Sequence, residues 1–173
     1  QVIKKCLAEG VEIAVIVGAG NIWRGRQGGK MDRVRADSMG MLATTINSLA
    51  LQDTFIQEGI DAVVMSAVEM SAYADKYTTR DAVKALKGGK VVIFAGGLGA
   101  PYFSTDTAAV LRAKEIDAEI VLLAKNVDGV YTADPKKDPS AKKIPSIDYI
   151  DILKNSESIF AYNEEFDFVV TLD

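Results

Sequence analysis

Four short runs of sequence, residues 11–17, 62–66, 91–95 and 120–124, are apolar almost without interruption. A strand with one wet face alternates apolar and polar side chains. A run without alternation is buried on both faces, which requires parallel strands covered by helices on either side. The intervening sequence supplies helices. Residues 2–9 are amphipathic and stop at Gly10, and residues 36–58 form a long helix stopped by Gly59. Residues 79–86 end near Gly88-Gly89, and residues 105–117 follow the third run. A short helix over 148–154 and a last strand over 168–172 complete the reading. Alternating strands and helices imply an α/β fold, a three-layer sandwich with a mainly parallel sheet and helices on both faces. The 173 residues suffice for one such domain with a substantial core. No internal repeat or low-complexity linker divides it. Gln1 leads directly into helical periodicity, and residues 158–166 read poorly as one element. The single domain over 1–173 is therefore expected to be incomplete at both ends.

Composition removes several function classes. The net charge of −4 argues against nucleic-acid binding, which usually shows as a basic patch or stripe. The chain has no histidine, so Ser-His-Asp and Cys-His mechanisms and histidine metal sites are excluded within it. Its one cysteine, Cys6, has no partner for an internal disulfide and reads as a small residue on the apolar face of the first helix. No apolar run reaches the length of about 18 residues that spans a bilayer, and no signal peptide is visible. The expected location is the cytoplasm, without membrane contact.

Two glycine-rich turns carry the chemistry. Gly96-Gly97-Leu98-Gly99-Ala100-Pro101-Tyr102-Phe103-Ser104-Thr105-Asp106 joins the third apolar run to a helix. Such a turn exposes backbone N–H groups at a helix N-terminus and attracts anions. Gly18-Ala19-Gly20-Asn21-Ile22-Trp23-Arg24-Gly25 follows the first run in the same way. In open α/β sheets, ligands bind beyond the carboxyl ends of the strands, where both turns fall. Two such turns, one with an arginine, suit a phosphoryl transfer between two phosphate-bearing substrates. The glycine spacing fits neither Gly-x-Gly-x-x-Gly nor the Gly-x-x-x-x-Gly-Lys-Ser/Thr loop, which counts against a dinucleotide oxidoreductase.

Further candidates stand beside the turns. Arg24 can neutralise transferring phosphate oxygens with its planar donor fork, or sit in a surface salt bridge. Asp37 reads either as a cap or dipole partner at the start of the long helix, or as an acceptor for ribose hydroxyls. Tyr102 and Phe103 could pack near a base or belong to the core. Ser104, Thr105 and Asp106 form a helix cap, which is compatible with phosphate binding. Met39, Leu42, Ile46 and Leu49 recur at spacings of three and four, a stripe for the core or for a helix–helix contact such as a subunit interface. In the segment 125–135, Lys125 could meet phosphate charge, Tyr131 could flank an adenine ring, and Asp134 could bond ribose or base. The lysines and prolines between Asp134 and Pro145 mark a long surface loop.

Four stretches, residues 17–25, 31–44, 101–109 and 127–135, together resemble the bacterial UMP kinases of the amino acid kinase family, and they occur in family order. The resemblance runs from the start of the chain to about Lys154. It implies MgATP-dependent conversion of UMP to UDP in pyrimidine nucleotide synthesis. It also implies a homohexamer under nucleotide control, with UTP as inhibitor and GTP as activator. Carried over by position, Ala19, Asp37 and the turn Leu98, Gly99, Ala100, Pro101, Tyr102, Phe103, Ser104 and Thr105 correspond to UMP contacts. Gly20 and Arg24 correspond to contacts with the ATP phosphates, with Arg24 the catalytic charge. Lys125 or Asn126, with Tyr131 and Asp134, correspond to the rest of the ATP site. No metal-ligating side chain is assigned; Mg2+ accompanies ATP. The chain departs from the family pattern with Ala19 in a triple-glycine turn, and with Leu98 and Ala100 where a threonine and an asparagine are usual. A Lys-x-Ser-Gly strand and a further C-terminal aspartate are not recognisable in it. Other family activities on a carboxylate or carbamate, and a catalytically silent nucleotide-binding module, are the competing expectations.

Overall fold

The computed structural model describes residues 1–23, 29–122, 130–133, 135 and 138–145. In chain order the elements are α1 (Val2–Ala8), β1 (Ala14–Ile16), α2 (Arg33–Gln57), β2 (Ala62–Ser66), β3 (Asp75–Lys76) and α3 (Thr79–Lys87). They continue with β4 (Val91–Ala95), α4 (Thr105–Glu115), β5 (Val130–Tyr131) and β6 (Lys143–Ile144). The first four strands form one parallel sheet in the order β1-β4-β2-β3, with Val15 beside Ile93 and Val64 beside Ile93 on the other edge of β4. β5 and β6 form a separate antiparallel pair.

The apolar runs behave as their lack of alternation requires. Every residue of β1 and β4 is buried. Successive side chains point to opposite faces, so each strand feeds two cores. Val15, Val64, Val91 and Ile93 pack with Phe55 of α2, and Ile3, Cys6 and Leu7 of α1 close over that side. Ile16, Met65, Val92 and Phe94 pack on the other side against Ala82 and Leu86 of α3 and Ala109 and Ala113 of α4. Helices thus cover both faces, as the three-layer expectation states. Cys6 takes the part of a small, partly buried core residue.

Element ends follow local chemistry. α2 starts at Arg33, earlier than the expected 36, because Asp32 caps it by accepting the Arg35 N–H at 3.2 Å. That removes the cap reading for Asp37, which lies inside the helix. β1 is shorter than residues 11–17, because the Val11 N–H is spent on Cys6 O, closing α1. β3 escaped the sequence reading because it is two exposed polar residues, without an apolar run. β6 likewise interrupts the long loop expected between Asp134 and Pro145. Residues 120–122 are not a strand; Ile120 and Leu122 are exposed, and no described strand pairs with them. The rest of that expected strand, the helix over 148–154 and the strand over 168–172 lie outside the described residues.

Candidate functional site

β1 and β4 are parallel neighbours, so the two glycine turns leave the sheet side by side on one rim. One face of α2 ties both down. Asn47 donates from Nδ2 to the Gly18 carbonyl at 2.7 Å and exchanges side-chain hydrogen bonds with Asn21. Trp23 donates from Nε1 to the Ala36 carbonyl at 2.8 Å, and its ring lies over Gly40. In the other turn, the Gly96 N–H donates to Thr44 Oγ1 at 2.9 Å, and the Tyr102 N–H donates to Asp37 Oδ2 at 2.8 Å. Positions 36, 37, 40, 44 and 47 recur at helical spacing, so one stripe of α2 reaches both turns.

Of this stripe the sequence reading singled out only Asp37, because the other positions are polar or small and show no apolar periodicity. The apolar positions it favoured point elsewhere. Met39, Leu42 and Ile46 are 40%, 55% and 57% exposed, which rules out the core for them, while only Leu49 packs on the core. Tyr102 and Phe103 are likewise about half exposed, so their alternative as core residues is also overturned.

The second turn is built to offer N–H groups. Gly96, Gly97 and Gly99 all take positive φ, and the N–H of Gly99 folds back to the Gly96 carbonyl at 2.9 Å. The N–H groups of Gly97, Leu98 and Ala100 have no acceptor among the described residues. Ser104 then caps α4 by accepting the Thr107 N–H, and Asp106 sits in the first turn. Unpaired backbone donors beside a helix N-terminus hold an anion, and a phosphate group fits them.

Asp37 anchors the outer end of this turn. Arg33 Nε donates to both its oxygens, at 2.9 and 2.8 Å, while the Tyr102 N–H occupies Oδ2. The Arg33 guanidinium also lies 5.5 Å from the centre of the Tyr102 ring. Tyr102 holds a φ of 73°, which is strained for a side chain of its size. The Asp37 hydrogen bond and the cation over the ring offset that strain. A carboxylate accepts up to about four bonds, so Asp37 retains capacity for a ligand hydroxyl.

Behind the same turn sits a cluster that sequence reasoning passed over. Arg112 of α4 is buried, with a side chain only 7% exposed, and pairs with Glu115. Its guanidinium stacks 4.0 Å from the centre of the Tyr77 ring and reaches the Gly97 carbonyl at 3.5 Å. Tyr77 donates its hydroxyl to Glu115 at 2.6 Å and meets Phe94 edge-on. Burial, then the bond to Glu115, pushes the Tyr77 hydroxyl above the ordinary phenol range. One sequence signal existed: Arg112 falls on the stripe of Ala108, Ala109, Ala113 and Ile116, where a charge is out of place.

The profile of the amino acid kinase family matches residues 1–164. The chain belongs to the amino acid kinase family. It is similar to the crystal structure of UMP kinase from Ureaplasma parvum at 36% identity and a TM-score of 0.71. That match covers 89% of this chain and 66% of that one. It is similar also to UMP kinase from Bacillus anthracis, at 37% identity and a TM-score of 0.72, over 89% of this chain and 65% of that one. The chain thus spans just under two thirds of the length of each.

Within this amino acid kinase chain, Ala19, Asp37 and the turn from Leu98 to Thr105 share one rim, tied together by α2. Ala19 is buried, and its carbonyl accepts from the N–H groups of Ile22 and Trp23, which curls the first turn. Gly20 is exposed beside it. Tyr131 lies in the β5–β6 pair. Arg24, Lys125, Asn126 and Asp134 lie outside the described residues. The link from α2 to the second turn gives a direct test. Thr44→Val keeps the shape but leaves the buried Gly96 N–H without its acceptor. It is expected to cost about 1–3 kcal/mol, measured by chemical denaturation. A loss below a few tenths of that would mean Thr44 does not hold the turn.

Proposed function

We propose that this chain is the greater part of a nucleoside monophosphate kinase that transfers the γ-phosphoryl group of ATP to UMP, giving UDP in pyrimidine nucleotide synthesis. The observation that carries the reading is the run of N–H groups at Gly97, Leu98 and Ala100 that have no acceptor among the described residues, in the turn whose Tyr102 N–H is held by Asp37. The N–H row suits the acceptor phosphate, and Asp37 suits a sugar hydroxyl at the far end of the turn. The neighbouring turn, through Gly20 and Arg24, takes the ATP phosphates. Lys125 or Asn126, Tyr131 and Asp134 complete the donor side.

The reaction forms a bond from an acceptor phosphate oxygen to the γ-phosphorus and breaks the bridge to the β-phosphate, releasing ADP. It asks the protein for alignment and charge neutralisation, with no side-chain nucleophile. Among the described residues, no group of three or more Asp, Glu, Cys or His side chains gathers to hold a metal ion. Mg2+ usually keeps its waters and rides on substrate phosphates, so in the proposed reaction it would arrive with ATP.

A panel assay on the full-length protein tests the reading. UMP should be phosphorylated faster than CMP, with no turnover of glutamate, aspartate or carbamate. Turnover of a carboxylate or carbamate would move the chain to another activity of its family. Binding of ATP and UMP without turnover would make it a silent nucleotide-binding module.

The exposed stripe of Met39, Leu42 and Ile46 supports a homo-oligomeric protein, with a homohexamer as the proposed state and GTP and UTP as proposed effectors. A cytoplasmic location is proposed; no helix among the described residues is long and apolar enough to cross a membrane. Leu42→Glu combined with Ile46→Glu should reduce the mass seen by light scattering to that of a smaller species. An unchanged mass would place the subunit contact elsewhere.

A further inference from the structure

Burying a guanidinium is costly unless every donor is used, and an apolar side chain could fill the same space more cheaply. Arg112 is nonetheless buried, and its partners come from three parts of the fold. Glu115 is on its own helix, Tyr77 lies between β3 and α3, and Gly97 belongs to the glycine turn. The flat guanidinium stacks on the Tyr77 ring and keeps its in-plane donors for the other two. Nη1 meets Glu115 and Nη2 meets the Gly97 carbonyl.

The orientation of that carbonyl has a consequence. In a planar trans peptide, the C=O and the following N–H point in opposite directions. A Gly97 carbonyl turned back toward Arg112 therefore turns the Leu98 N–H away from it. The Leu98 N–H is one of the donors with no acceptor among the described residues. Gly97 has a φ of 57° and open space at its Cβ position, so no side chain of its own restrains this peptide. The buried charge of Arg112 meets the Gly97 carbonyl at 3.5 Å, a charge–dipole contact that is stronger in a water-poor site.

We propose that Arg112, braced by Tyr77 and Glu115, is a positioning residue that sets the Gly97–Leu98 peptide so that the Leu98 N–H meets the phosphate of the acceptor nucleotide. The role rests on the reading of this turn as the acceptor site.

Full-length wild type is compared with Arg112→Met, Arg112→Lys and Tyr77→Phe by two measurements. Amide hydrogen exchange without ligand reports the order of residues 96–104. Steady-state kinetics with UMP and ATP report how the turn is used. Arg112→Met should raise exchange over 96–104 about tenfold or more while residues 14–16 stay protected. It should raise KM for UMP about tenfold and leave KM for ATP within about twofold. Arg112→Lys keeps the charge but loses the stacked fork, so it should recover part of the UMP KM, and Tyr77→Phe should fall between Lys and wild type. Unchanged exchange at 96–104 overturns the proposal, whatever the activity. So does a KM that rises equally for both nucleotides, which marks a general loss of structure. If Arg112→Met does not fold, the Lys and Phe variants decide by the same criteria. If the wild type does not phosphorylate UMP, the functional reading falls, while the exchange data still judge the hold of Arg112 on the turn.

Discussion

Arg24→Ala should lower turnover by about 10²–10³-fold in the full-length protein, with a much smaller change in KM for UMP. The transferring phosphoryl group spreads charge over its oxygens, and a planar cation aimed at them acts more strongly in the transition state than in the ground state. Arg24 itself lies outside the described residues; the residue before it, Trp23, is described. Trp23 is pinned to α2 by its bond to the Ala36 carbonyl, and its N–H is held by Ala19 O. Arg24→Lys should restore only part of the rate, because an ammonium is a point charge without the two-pronged donor geometry. Steady-state kcat for the two variants is the measurement. Turnover equal to wild type in Arg24→Ala would remove this residue from the mechanism.

Gly96→Ala should destabilise the fold by about 2–5 kcal/mol, from left-handed backbone strain of about 1–2 and overpacking of about 1–3. Gly96 is buried at a φ of 74°, and a Cβ there would lie 3.0 Å from Ser66 Oγ and 3.2 Å from the Val68 backbone nitrogen. The first contact can relax by rotating a hydroxyl. The second is backbone and cannot. Gly97→Ala provides the control, since Gly97 shares the positive φ but has open space at its Cβ position. It should cost only the backbone strain, about 1–2 kcal/mol. Denaturant midpoints for the pair separate the two contributions. Equal losses would show that the close approach of Gly96 to residues 66–68, at the end of β2, does not matter.

The sheet was readable because burial on both faces leaves a local trace. The runs at 62–66 and 91–95 became β2 and β4 at the stated bounds. The turn after β4 was readable too, since glycines and a Ser-Thr-Asp cap announce a strand-to-helix corner, and Ser104 is that cap. Asp37 was singled out, but its partners were not. Arg33 is one helical turn away, and Tyr102 is joined to Asp37 by a bond across 65 positions. The exposed stripe on α2 was ambiguous in sequence, because an apolar periodicity looks the same whether it faces a core or water. Arg112 was the reverse case, a charge on an apolar stripe whose use depends on an aromatic ring from another element.

The residue order alone therefore determined the layers, the three central strands β1, β2 and β4, the glycine-rich corner after β4 and the resemblance to a kinase family, because these depend on periodicity and short-range backbone chemistry. Only the folded chain decided that α2 binds both corners through Asp37, Thr44 and Asn47, and that a buried arginine backs the second one. Those contacts join residues far apart in sequence, and their strength comes from geometry and exclusion of water, which exist only once the layers have closed.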